Sequence, residues 1–308
     1  MRSDIAIESR DLFAAYPGVR EEVEEQDGFR ISRITIETDQ ASQALDKPMG
    51  RYFTLTAEIH TLSDAEFRSQ AARIIAGEIE AILENGAENQ KSVMVVGLGN
   101  RYVTPDALGP KVAEHVFVTR HIQMYCRDAL DEDVRTVTAF SANVLGITGM
   151  ETVEVVSGLV GTIHPDLLII VDALASMESG HIGSVFQMND SGISPGSGIG
   201  NFQTSLNDRT VGVPVITLGV PLVVSAQTII EDALDAIGAN SPPPRGGKSM
   251  QSTGGSGRPL ELPEQFTQMI VTPKNIDAMV ADAAKVLAEA INLALHGAQY
   301  RTLEKLLS

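Results

Sequence analysis

The chain has 308 residues, 43% of them hydrophobic, no tryptophan and a formal net charge of −17. That charge argues against a surface built for nucleic acid or an anionic membrane, since either needs clustered Lys and Arg. Cys126 is the only cysteine, which rules out an intrachain disulfide and fits a reducing cytoplasm; Tyr125-Cys126-Arg127 carries no nucleophile motif.

The first residues hold no apolar core of signal-peptide length, and no run reaches the ~18 apolar residues of a membrane helix. An acidic run follows at 21–27, expected to be a loop or a solvated helix face. FRISRITIET (29–38) and RYFTLTAEIH (51–60) alternate apolar and polar residues, the pattern of half-buried strands. They are expected to pair antiparallel at one side of a sheet, across a loop-like QASQALDKPMG (40–50).

Ala72, Ile75, Ile79, Ile82 and Leu83 recur at helical spacing and predict a helix over 63–85, capped by Ser63. VMVV (93–96) predicts a short buried strand that stops at the glycine turn Gly97-Leu98-Gly99-Asn100. Thr104-Pro105-Asp106 reads as a helix start, with Thr104 as N-cap and Pro105 at the first position of a helix over 105–119. Further on come a strand over 135–140, a helix over 150–160, and the apolar strand LLIIV (167–171), ended by Asp172.

Residues 176–205 are rich in Gly, Ser and Asn, with a strand over 182–188 among them. A buried strand over 213–218 leads to a helix over 225–236, and an amphipathic helix spans 276–295. Residues 240–259, NSPPPRGGKSMQSTGGSGRP, form a low-complexity insert expected to be mobile. Alternation of strands and helices from 63 to 236 predicts an α/β fold. Its sheet is mainly parallel, with helices on both faces and an extra antiparallel strand region.

The chemistry centres on two aspartates. Asp106 follows one central strand through the glycine turn, and Asp172 ends another. If the strands are parallel, both carboxyls reach one edge, where one holds a proton and the other acts as base. Such a pair can activate water and protonate a leaving amine. The same residues have simpler readings. An Asp in a helix's first turn is favoured by the macrodipole, and an Asp closing a strand often starts a turn.

Gly97-Leu98-Gly99-Asn100 lacks the third glycine of a dinucleotide fingerprint, whose place is taken by Tyr102. The six histidines show no HExxH pair and no cysteine companions, so no metal site is signalled. No G-x-S-x-G elbow appears either; Gly196-Ser197-Gly198 belongs to a flexible loop.

Four stretches in order resemble the germination proteases of spore-forming bacteria: GLGNRYVTPDALGP (97–110), VDALAS (171–176), SGISPGSGIGN (191–201) and GVPVITLGVPLVV (212–224). The resemblance runs from about Asp4 to the C-terminus. It implies an atypical aspartic endopeptidase, without cofactor, that degrades small acid-soluble spore proteins in the spore core. It implies a core like that of hydrogenase-maturation peptidases, which share the GxGN…D element, and a homotetramer. By it, Asp106 and Asp172 match the catalytic pair, while Gly97, Gly99, Asn100, Gly196 and Gly198 match active-site loops. The family is made as self-processing zymogens cut after an acidic residue, before a large apolar residue and Ala. Asp4-Ile5-Ala6 has that form, so residues 1–4 are a candidate pro-segment remnant and 5–308 one peptidase domain. Arg2 and the terminal amine would then be cations near the acid pair. Two other readings stay open: a metal-dependent C-terminal processing peptidase, and a non-catalytic binding protein with a glycine-rich ligand loop.

Overall fold

The computed structural model describes residues 3–9, 16–57, 63–85, 91–126, 134–196, 203–237, 263, 266, 269–297 and 300–307. The insert at 240–259, Gly198, Arg2 and residues 58–60 of the second expected strand lie outside these.

The acidic run is neither loop nor helix. Strands β1 (Val19–Gln26) and β2 (Phe29–Ile36) form an antiparallel hairpin. Its turn explains it: Asp27 and Gly28 have φ of 52° and 82°, the left-handed pair that matches strand twist. Glu22, Glu24 and Glu25 are exposed along β1, and a charged outer strand resists pairing with other chains.

The stretch expected to be a loop contains helix α1 (Asp39–Leu45). Thr38 Oγ1 accepts from the Ala41 amide at 3.2 Å, and Ala41 and Leu45, four apart, are buried together. Strand β3 (Gly50–Thr56) pairs antiparallel with β2, as expected. In α2 (Ala65–Asn85), Asp64 takes a first-turn amide: its Oδ1 accepts from Glu66 N–H at 2.8 Å.

Strand β4 (Ser92–Gly97) leads to a 3₁₀ turn at Thr104–Asp106, then to α3 (Leu108–His115) and α4 (Arg120–Tyr125). The expected helix over 105–119 is therefore split, and Thr104 caps nothing. Pro110 is the cause, because it has no N–H to give the Asp106 carbonyl and tolerates only a first helical turn. Strand β5 (Thr136–Ser141) is followed by α5 (Leu145–Thr148) and α6 (Thr152–Ile163). Strand β6 (Leu167–Ser176) runs through Asp172 instead of ending there, since β8 stays paired with it as far as Ser176. Next come β7 (Val185–Asn189), α7 (Asp208–Val211), β8 (Val215–Ser225) and α8 (Ala226–Ala236). The described chain closes with β9 (Ile270–Val271), α9 (Ile276–His296) and α10 (Tyr300–Leu307).

One sheet runs β1-β2-β3-β7-β8-β6-β4-β5, with β9 on β8. Strands β8, β6, β4 and β5 are parallel and form one half of it, with β5 at the edge; β7, β3, β2 and β1 add on antiparallel beyond β8. The central strands are near-continuous apolar runs because both faces are covered. Val93, Val95, Ile169 and Val171 pack under α2, α3 and α9. Met94, Val96, Leu168 and Ile170 pack under α6 and α7 on the other face. Each such buried side chain contributes roughly 1.5–3 kcal/mol.

Candidate active site

Asp172 continues the face of Leu168 and Ile170, two residues on from Ile170 along β6. Strand β4 stops with Gly97 opposite Val171, so it does not extend alongside Asp172. The last tie there is Leu98 N–H to the Val171 carbonyl, at 2.8 Å.

The glycines bring Asp106 to this edge. A Cβ on Gly97 would lie 2.0 Å from the Gly109 carbonyl oxygen, and one on Gly109 2.3 Å from that of Leu98. Only bare backbones let α3 approach the end of β4 so closely. Gly99 has φ +105°, and a Cβ there would meet the Asp106 carbonyl oxygen at 2.1 Å. Asn100 then donates its amide to Asp106 Oδ2 at 2.8 Å, while its own Oδ1 accepts from Tyr102 N–H at 3.0 Å. Asn100 is thus the brace of the turn that holds Asp106. Gly196 has φ +72°, and no described hydrogen bond ties it to either aspartate.

The two carboxyls differ in environment. Burial lifts Asp106 above the ordinary carboxylate range, with the Asn100 amide opposing. Asp172 is 7% exposed and is raised well above that range. Burial is the main cause, the charges of Asp106 and Asp4 add to it, and the Ala173 amide on Oδ1 opposes. One group is thus primed to hold a proton beside another that gives it up more readily. Among the described residues, no group of three His, Cys, Asp or Glu could hold a metal ion.

The N-terminal segment lies against the same site. Asp4 N–H donates to the Ala175 carbonyl at 3.1 Å, and Ala175 N–H donates to Asp4 Oδ2 at 3.0 Å. The Asp4 carbonyl accepts from Gln187 Nε2 at 2.7 Å, and Ala6 N–H donates to Gln187 Oε1 at 2.5 Å. Ile5, fully buried, packs on Leu174 and Val185, while Ala6 sits among Ile34, Ile36, Ala41, Leu45 and Tyr52. Glu8 is gripped by His181 Nδ1 at 2.8 Å, the Met177 amide at 2.8 Å, and the hydroxyls of Ser176 and Ser3. Arg2 and the terminal amine, the expected cations, lie outside the described residues; the described N-terminal charge acting on Asp172 is that of Asp4.

Sequence reasoning missed Gln187, Glu8, His181 and Ser176. A lone amide between Phe186 and Met188 in a fully buried strand was the available signal for Gln187.

A family profile described as "Germination protease" matches residues 4–240. The chain belongs to the germination protease family. It is a hydrolase of peptide bonds. A germination protease from Clostridium acetobutylicum is 36% identical over 316 residues, covering 97% of this chain and 96% of that one. One from Caldanaerobacter subterraneus subsp. tengcongensis is 37% identical over 306 residues, covering 96% and 94%. Among solved structures, a NiFe hydrogenase maturation protease from Thermococcus kodakarensis aligns with TM-score 0.32 and 17% identity, over 68% of this chain and 98% of its own. That likeness is too distant to build on.

Proposed function

We propose that this germination protease is an aspartic-type endopeptidase that begins the degradation of small acid-soluble spore proteins. It cuts after an acidic residue and before a large apolar residue and Ala. The observation that supports this most is Asp4-Ile5-Ala6 lying in the site, with its carboxylate acting on Asp172. Ile5 and Ala6 each fill an apolar pocket, so the segment stands in for substrate on the primed side of the bond. The reading includes self-processing at Asp4–Ile5, work in the spore core, and a homotetramer, in line with the resemblance above.

In the chemical step, Asp106 takes a proton from water as its oxygen bonds to the carbonyl carbon of the acidic residue. Asp172 gives its proton to the leaving nitrogen as the C–N bond breaks. The products are a new carboxyl and a new amine, and the pair again holds one proton, now on Asp106 and taken from water; it must return to Asp172 before the next cycle.

The test is incubation with a peptide containing Glu-Ile-Ala and mapping of the fragments. A single cut between Glu and Ile supports the reading, with loss of about 10²–10⁴ in rate in Asp106→Asn and in Asp172→Asn. No cut would contradict this specificity, and full activity in Asp106→Asn would remove Asp106 from the mechanism.

A further inference from the structure

We infer that Gln187 is a catalytic residue of this site, its side-chain amide donating to the carbonyl oxygen of the bond being cut. The inference rests on the reading of Asp4–Ile5 as a cleavable bond. It adds a third participant to the two aspartates.

The sheet register sets the geometry. Gly219 of β8 stands opposite Asp172 on one side and opposite Gln187 on the other. Residues paired across neighbouring strands point to one face, so Asp172 and Gln187 share a face with only a glycine between them. Strand spacing puts their Cα atoms about 10 Å apart, which leaves room for one peptide group between the two side chains. Asp4 joins the two strands, since its amide is bonded to Ala175 of β6, three residues beyond Asp172, and its carbonyl to Gln187 of β7. Gly219 is needed there: a Cβ would lie 2.6 Å from Leu174 Cγ and 2.9 Å from the Asp172 carbonyl oxygen. Leu174 in turn forms the floor under Ile5.

A buried amide between apolar neighbours requires partners for both of its ends. Gln187 is 5% exposed, and its partners are the Asp4 carbonyl and the Ala6 amide. One side chain thus grips a peptide on both sides of a single bond and touches only backbone, so it serves any sequence that fits the pockets. The Nε2 donor rests on the oxygen that becomes negative when water adds to the carbonyl carbon. A fixed donor at that position stabilises the charge as it develops, and losing one such donor costs about 10²–10³ in rate. The Oε1 acceptor holds the Ala amide and contributes to binding.

The two ends can be separated. In Gln187→Glu the acceptor stays and the donor is lost; in Gln187→Ala both go. With the full chain and a Glu-Ile-Ala peptide, Gln187→Glu should lower kcat about 100-fold or more with KM nearly constant. Gln187→Ala should lower kcat likewise and raise KM. Circular dichroism and thermal unfolding establish that each variant is folded. Should either fail to fold, the unmodified enzyme decides with a peptide whose Ala nitrogen is methylated. Loss of about fivefold or more in kcat/KM supports the grip, and equal cutting overturns it. A folded Gln187→Glu with kcat within threefold of wild type also overturns the inference. If the unmodified enzyme cuts neither the peptide nor its own Asp4–Ile5 bond, the parent reading fails instead.

Discussion

The carboxylate of Asp4 raises the proton affinity of Asp172, although the two stand 168 positions apart in the chain. The uncut segment therefore changes the acid pair it lies against, and does so with the sign of a negative charge.

This sign has a consequence for pH. The singly protonated pair is populated between the two titrations of Asp106 and Asp172, both of them raised. In Asp4→Asn one cause of the high Asp172 value is gone, so the alkaline limb of the rate profile should move to lower pH. A titration of the Asp172 carboxyl by NMR should move the same way. An unmoved limb would mean that the two carboxyls do not interact.

The Glu8–His181 pair predicts when the segment is docked. Burial pushes Glu8 up, but hydrogen bonds from His181, Ser176, Ser3 and the Met177 amide bring it below its ordinary 4.5. Its contribution is complete above 4.5 and disappears as pH falls through the lowered value. Burial pushes His181 down, yet Glu8, Glu178 and Asp232 raise it above 6.5, so its contribution is complete below 6.5 and is lost as pH rises through the raised value. Docking should be tightest between pH 4.5 and 6.5. Hydrogen exchange at the Met177 amide reads this directly, because that N–H is held by Glu8. Glu8→Gln should flatten the profile and lower protection; identical exchange in the variant would contradict the account.

The glycine turn makes a stability prediction with a built-in control. Gly99→Ala should destabilise the fold by more than about 1 kcal/mol and reduce cutting, since φ is +105° and the Asp106 carbonyl is in the way. Gly158 lies inside α6 with nothing within 4 Å of an added Cβ. Gly158→Ala should therefore stabilise by about 0.5–1 kcal/mol. Urea unfolding of both variants measures the contrast. Equal effects would mean that the turn at residue 99 is free to relax.

Much of the frame was legible because it rests on local patterns. Met94, Ile169 and Ile216 lie in apolar runs that only a doubly covered sheet accommodates, and Asp106 and Asp172 follow from where those runs stop. The hairpin of β1 was hidden by its glutamates, although Asp27-Gly28 marked the turn. Strand β6 outran its apolar run because β8 extends beside it as far as Ser176, a tertiary cause that no local pattern carries. The rest of the site was out of reach for a similar reason. Gln187 meets Ala6 across 181 positions and His181 meets Glu8 across 173, and neither pair leaves a periodic trace.

The central claim is that Asp106 and Asp172 act together on the bond between Asp4 and Ile5. Intact mass and N-terminal sequencing of wild type, Asp106→Asn and Asp172→Asn, after incubation at mildly acidic and neutral pH, test it most directly. The account predicts a new N-terminus at Ile5 in wild type alone, with more product at the acidic pH. Processing at the normal rate in either variant would contradict it.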